Sequence, residues 1–225
     1  MIPFLRAASV LCLSLLPQAA LAHPHVFIDA GLRLDYDPSG RLAAVEVEWR
    51  YDAFYSLLIL EDFGIRPAAG GLTPEDAAVL RGFDGDWDAG FDGGLYLGSE
   101  GRRIALAAPR DFSVSLQDGQ LVSRHRRPLA QPLSGEAPLV IQVYDPEFYV
   151  DFTVPQPPVV RGRADCRAEL RPGDSYAAAD AYAAALRDAL RRELSALEAR
   201  DEEMVEVNIG AVGADEIRVG CGASG

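Results

Sequence analysis

The sequence predicts an α+β fold: mostly antiparallel sheet, with two short helices after the first hairpin and one long C-terminal helix. Three observations carry this. Apolar and polar residues alternate with period two through residues 26–36 and 42–51. Short runs of the same kind, separated by turn residues, recur from Leu95 to Val154. Between Tyr176 and Arg200, Tyr182, Leu186, Leu190, Leu194 and Leu197 recur at helical spacing.

In chain order, Val26–Tyr36 and Leu42–Tyr51 make a hairpin whose wet face carries Arg33, Asp35, Glu46, Glu48 and Arg50, with Asp37-Pro38-Ser39-Gly40 as its turn. Asp52 then caps a short helix through Phe54, Leu57, Leu58 and Leu60. Thr73-Pro74-Glu75-Asp76 opens a second, with a capping hydroxyl, Pro at the first position and acids in the first turn. Gly82 to Gly94 reads as a loop. Its Asp84-Gly85-Asp86-Trp87-Asp88 stretch lacks the glycine and glutamate spacing of a helix-flanked calcium loop. Strands follow at Leu95–Leu97, Arg103–Ala107, Phe112–Leu116, Leu121–Arg126, Leu139–Tyr144 and Phe148–Val154. Asp118-Gly119 is a hairpin turn. Pro155 to Pro158 is a stiff connector. It divides an N-terminal region, 23–154, from a C-terminal region, 159–225, or links two parts of one continuous domain. Strands at Arg163–Leu170, Val205–Ile209 and Glu216–Cys221 surround the long helix.

Residues 1–22 read as a signal peptide: Arg6, an apolar run from Ala7 to Leu16, and an Ala20-Leu21-Ala22 cleavage box. Cleavage after Ala22 places the mature chain in the periplasm, soluble and without membrane insertion, because no later run is long enough to span a bilayer. The net charge of −13 argues against nucleic acid and anionic lipid as partners. Export leaves Cys166 and Cys221, an even pair in an oxidising compartment. Cys166, Ala168 and Leu170 share one strand face, as do Ile217, Val219 and Cys221. Pairing those strands would bring the sulfurs together and close a loop of about 55 residues, contributing about 3–4 kcal/mol in the chain-entropy account.

Cleavage after Ala22 also makes His23 the first mature residue, with His25 two positions on. An amine and two imidazoles are nitrogen ligands that zinc favours, with Ni2+, Co2+ and Cu2+ as other cations that suit them. Pro24 has no amide proton, which closes the square-planar amino-terminal copper and nickel motif to this chain. Zinc takes three or four ligands, so His125 is the expected third. The arginines Arg124, Arg126 and Arg127 around it disfavour an imidazolium and favour the neutral, ligating ring. The acidic aromatic stretch Tyr144–Phe152 offers Asp145, Glu147 and Asp151 as further ligands or as partners that orient a histidine. The plainer reading of that stretch is an aromatic hairpin with a capped turn. No nucleophile elbow, phosphate loop, dinucleotide fingerprint or zinc-protease helix is present, and hydrolase chemistry has no support in the sequence.

The segments His23-Pro24-His25-Val26-Phe27-Ile28-Asp29, Trp49-Arg50-Tyr51-Asp52-Ala53-Phe54-Tyr55-Ser56 and Tyr144-Asp145-Pro146-Glu147-Phe148-Tyr149-Val150-Asp151-Phe152 resemble a family of exported bacterial proteins described as a domain of unknown function. Its members occur beside, or fused to, nickel/cobalt-type inner-membrane permeases, at least one of them associated with zinc uptake. The resemblance implies a periplasmic accessory protein that binds a divalent transition metal, with His23, His25 and His125 at the matching positions. Relatives carry an acidic calcium-type loop after the Phe-Tyr-Ser helix. Here Gly64 to Glu75 lacks those acids, and a calcium site is not expected there. Two other readings compete. One is a copper enzyme using a terminal histidine brace. The other is a metal-free interaction module docking a partner on the Glu46, Glu48 and Arg50 face.

Overall fold

The computed structural model describes residues 25–68, 71–87, 91–196 and 210–222. Among the described residues, eleven strands form two sheets. The first hairpin is β1 (Val26–Tyr36) and β2 (Arg41–Tyr51), antiparallel from Ile28 opposite Tyr51 to Tyr36 opposite Leu42. Asp37 holds the turn, its Oδ1 accepting from the amides of Ser39 and Arg41. Helices α1 (Ala53–Asp62) and α2 (Pro74–Val79) follow, capped by Asp52 and Thr73 as their sequences require. The remaining strands are β3 (Leu95–Ser99), β4 (Arg102–Ile104), β5 (Arg110–Gln117), β6 (Gln120–Ser134), β7 (Leu139–Val143), β8 (Val150–Thr153), β9 (Val159–Arg161), β10 (Cys166–Arg171) and β11 (Glu216–Cys221).

The first sheet runs β5-β6-β2-β1-β8, with β9 also on β1; the second runs β10-β11-β7-β3-β4. Pairing is antiparallel except where β8 and β9 lie parallel to β1. Strand pairing crosses the Pro155–Pro158 connector in both directions, since β9 joins β1 and β11 joins β7. Leu32, Leu34, Val45 and Val47 from the first sheet and Leu95, Ile141 and Ile217 from the second belong to one buried apolar cluster. Burying these side chains is the main favourable term for the fold.

The chain is therefore mostly β, and the expected α+β class is corrected. A helical layer would have to bury an apolar face, and the described leucines of the late helix are exposed. Helix α3 (Ser175–Ala196) carries Leu186 and Leu190, on its expected inner face, 51% and 55% exposed. Among the described residues none of its side chains belongs to the core cluster, and it packs against the short 3-10 turn Gly210–Val212. The expected strand Val205–Ile209 lies outside the described residues. Strand β9 and the extension of β6 to Ser134 were not expected from the sequence.

Candidate functional site

His25 is exposed at the head of β1. Its amide donates to Tyr149 O at 2.9 Å, and its ring lies 5.0 Å from the Tyr149 ring. The loop that carries Tyr149 is organised by Asp145. Its Oδ1 accepts from Glu147 N at 3.1 Å, and its Oδ2 accepts from Tyr149 N at 2.9 Å and Val150 N at 3.0 Å. The Asp145 carboxylate is thus a turn cap, whereas Glu147 is exposed beside it. Asp151 follows on β8, directly opposite Phe27 of β1. Burial, and then the charge of Asp215, push the Asp151 carboxyl up from the ordinary carboxylate range. Asp215 itself accepts from Val154 N and Gly173 N, each at 2.7 Å. His23 and the signal segment lie outside the described residues.

His125 is not part of this edge. It sits opposite Val47, which sits opposite Leu32 of β1. His25 precedes Leu32 by seven strand positions, about 23 Å along β1. Zinc–nitrogen bonds are about 2 Å, so one ion cannot hold both rings in this arrangement. His125 is 1% exposed and faces inward with Ser123 and Arg127, while Arg124 and Arg126 face outward. Its ring is 4.9 Å from Trp49, 5.7 Å from Trp87 and 5.7 Å from Phe112. Burial, and then the nearby Arg127 charge, lower its pKa to about 4. Burial rather than the set of flanking arginines is the main cause favouring the neutral ring, which is enclosed by aromatic side chains.

Around His125 lies a polar cluster that the sequence reading missed. Asp84 Oδ2 accepts from the Tyr51 hydroxyl at 2.9 Å and from Ser123 Oγ, and burial raises the Asp84 pKa. Trp87 Nε1 donates to Asp84 O at 2.6 Å. Arg127, 2% exposed, lies 4.8 Å over the Trp87 ring and donates to the carbonyls of Ala107 and Asp92. Both His125 ring nitrogens, Trp49 Nε1 and Asp84 Oδ1 are buried without a hydrogen-bond partner among the described residues. The available signal was the inward alternation Leu121, Ser123, His125, Arg127, Leu129, which puts three polar residues on a core face.

The outward face of the first sheet is a charge ladder. Arg33 is bidentate to Glu46, Arg126 pairs with Asp35, Arg124 with Glu48, and Arg50 donates to Gln117. Glu46, Glu48 and Arg50, the docking face of the metal-free reading, are engaged within the sheet. Cys166 and Cys221 form the expected disulfide, directly opposite each other in the β10–β11 register. A cavity of about 590 Å3 between the β3–β4 hairpin and the end of β6 is lined by Arg102, Arg103, Leu133 and Glu136, among others, and contains none of the expected site residues. Among the described residues, no three His, Cys, Asp or Glu side chains group as a metal site, and no helix is long and apolar enough to cross a membrane.

The geometry defines a disulfide-stapled, two-sheet β protein with a histidine at the exposed head of its first strand. The chain belongs to the family described as protein of unknown function DUF1007, which matches residues 8–221. No curated protein matches it. Among solved structures, AChBP from Bulinus truncatus aligns over 98% of both chains at 9% identity and a TM-score of 0.37. A score of that size establishes neither a shared fold nor a shared function.

Proposed function

We propose that the chain is an exported accessory protein that binds a divalent transition metal, zinc foremost, at its N-terminal edge and serves an inner-membrane metal permease. One observation carries the reading: His25 stands exposed at the head of β1, tied to Tyr149 by a main-chain bond and a ring contact, beside the loop that presents Glu147. Two imidazoles from His23 and His25, the Glu147 carboxylate, and the terminal amine or a water would complete a zinc set of three or four. His125 is outside that set. The resemblance of the His23–Asp29 and Tyr144–Phe152 segments to the permease-associated family supports the partner.

The test is zinc titration of protein exported and cleaved to a true His23 terminus, beside a form with one extra residue ahead of it. Stoichiometric binding is expected in both if the imidazoles dominate, and only in the first if the amine is a ligand. His25→Ala should weaken binding about tenfold or more, and His125→Phe should leave it unchanged. Affinity should fall at pH 5, because an imidazole must lose its proton to ligate. Binding that survives His25→Ala and disappears with His125→Phe would defeat the proposal.

A further inference from the structure

Helix α1 is apolar on both sides. Ile59 and Leu60 point into the core, whereas Phe54, Leu57 and Leu58, spaced for one helical stripe, are 70%, 63% and 40% exposed. Phe63, just past the helix, is 45% exposed. At the N-terminal end the helix cap Asp52 accepts from Phe27 N, and Phe27 is 51% exposed. A surface helix normally presents polar residues outward, so a second apolar stripe calls for a cover.

Charge selects the cover. Glu61 and Asp62, both exposed, close the helix, and no basic residue lies within Ala53–Asp62. The nearest basic residues along the chain are Arg50, which bonds Gln117, and Arg66, beyond the helix. An anionic bilayer would meet an acidic rim on a chain of net charge −13. A second copy packing its own α1 stripe here would bring no basic residue to Glu61 and Asp62, since none lies within Ala53–Asp62. We infer that the outer stripe of α1 docks a protein segment that is apolar on one side and carries arginine or lysine flanks. The inference rests on α1 alone and is independent of metal binding.

The test uses the full chain and a labelled synthetic amphipathic helix of leucine and arginine, with a scrambled peptide of the same composition and a leucine–glutamate version as controls. Fluorescence anisotropy should show binding of the leucine–arginine helix alone. Leu57→Ser/Leu58→Ser should weaken it about tenfold or more, as truncation of central apolar anchors does. Glu61→Gln/Asp62→Asn should weaken it less and reduce its salt dependence. Leu186→Ser on α3 should change nothing. These substitutions alter exposed side chains, and unchanged melting temperatures would show that the fold is intact. Equal binding of the scrambled peptide, or no loss in the α1 variants, overturns the inference in favour of bulk charge. A dimer by light scattering that Leu57→Ser/Leu58→Ser dissociates overturns it in favour of a second copy. Vesicle binding through the same leucines without peptide binding overturns it in favour of a membrane.

Discussion

The His125 imidazole stands edge-on to the Trp49 indole, ring centroids 4.9 Å apart, and neither ring has a hydrogen-bond partner among the described residues. Burial, followed by Arg127, lowers the His125 pKa to about 4. In the unfolded chain it returns to about 6.5. As pH falls from about 6.5 to 4, the unfolded state takes up the proton first, so stability is full above that window and is lost progressively within it. The span corresponds to about 3 kcal/mol. Asp84, whose pKa burial raises, works in the opposite direction, so comparison with His125→Phe isolates the histidine. Urea unfolding at pH 7, 6, 5 and 4 should show a flatter profile for His125→Phe, with no loss at pH 7 because no buried ring nitrogen is left unpaired. Parallel profiles for the two proteins would remove His125 as the acid-sensitive group.

Cys166 is 6% exposed and its Cα lies 3.9 Å from that of Cys221, across a sequence separation of 55. The bond ties β10 to β11, and β11 ties that pair to β7. Cys166→Ala/Cys221→Ala should lower stability by about 4 kcal/mol through the entropy returned to the unfolded chain. A melting temperature unchanged by the double substitution, or by reduction of the intact protein, would show that pairing between β10 and β11 holds this end without the staple.

What the sequence made legible follows from which forces leave a local pattern. The β1–β2 hairpin alternates because one face meets the core and the other meets water, so its strand bounds were readable to within a residue. The β10–β11 disulfide was readable because period two puts Cys166 and Cys221 on matching faces. The leucines of α3 show the limit of the argument: periodicity says that residues share a face, but not that anything covers it, and Leu186 and Leu190 are half exposed. Strand β9 has only three residues and no alternation long enough to read. Beyond Arg126, β6 continues past Pro128, which reads as a strand breaker; a register shift between Leu42 and Ala44 accommodates it. His125 read as a ligand because zinc takes three or four and it is the remaining histidine of the chain. The Trp49, Trp87 and Phe112 walls that enclose it come from a different strand, a loop and β5, at distances along the chain that no local pattern encodes.

Asp52 joins two elements at once. Its Oδ1 accepts from Tyr55 N at 2.9 Å as the α1 cap, and its Oδ2 accepts from Phe27 N at 3.2 Å on β1. Asp52→Ala should cost about 1–2 kcal/mol, the range for loss of a good N-cap. Asp52→Asn keeps a capping oxygen and should cost less than half as much. If Asn proves as damaging as Ala in urea unfolding, the second carboxylate oxygen that accepts from Phe27 N, or the charge, matters more than the α1 cap.

Gly162 follows β9 with φ +88°, and a Cβ built there would fall 2.3 Å from Tyr36 O at the end of β1. Gly101 has a similar φ of +72°, with nothing within 4 Å of its Cβ position. Both substitutions to alanine impose the left-handed strain of about 1 kcal/mol. Only the one at Gly162 also drives a methyl into main chain that cannot rotate away, at the point where β9 leaves β1. Gly162→Ala should therefore lose about 2 kcal/mol more than Gly101→Ala, which falls within the upper range for strained backbone and overpacked sites. Equal urea midpoints for the two variants would mean that β9 moves off β1 at little cost, and that the connector after Pro158 is not held by the sheet.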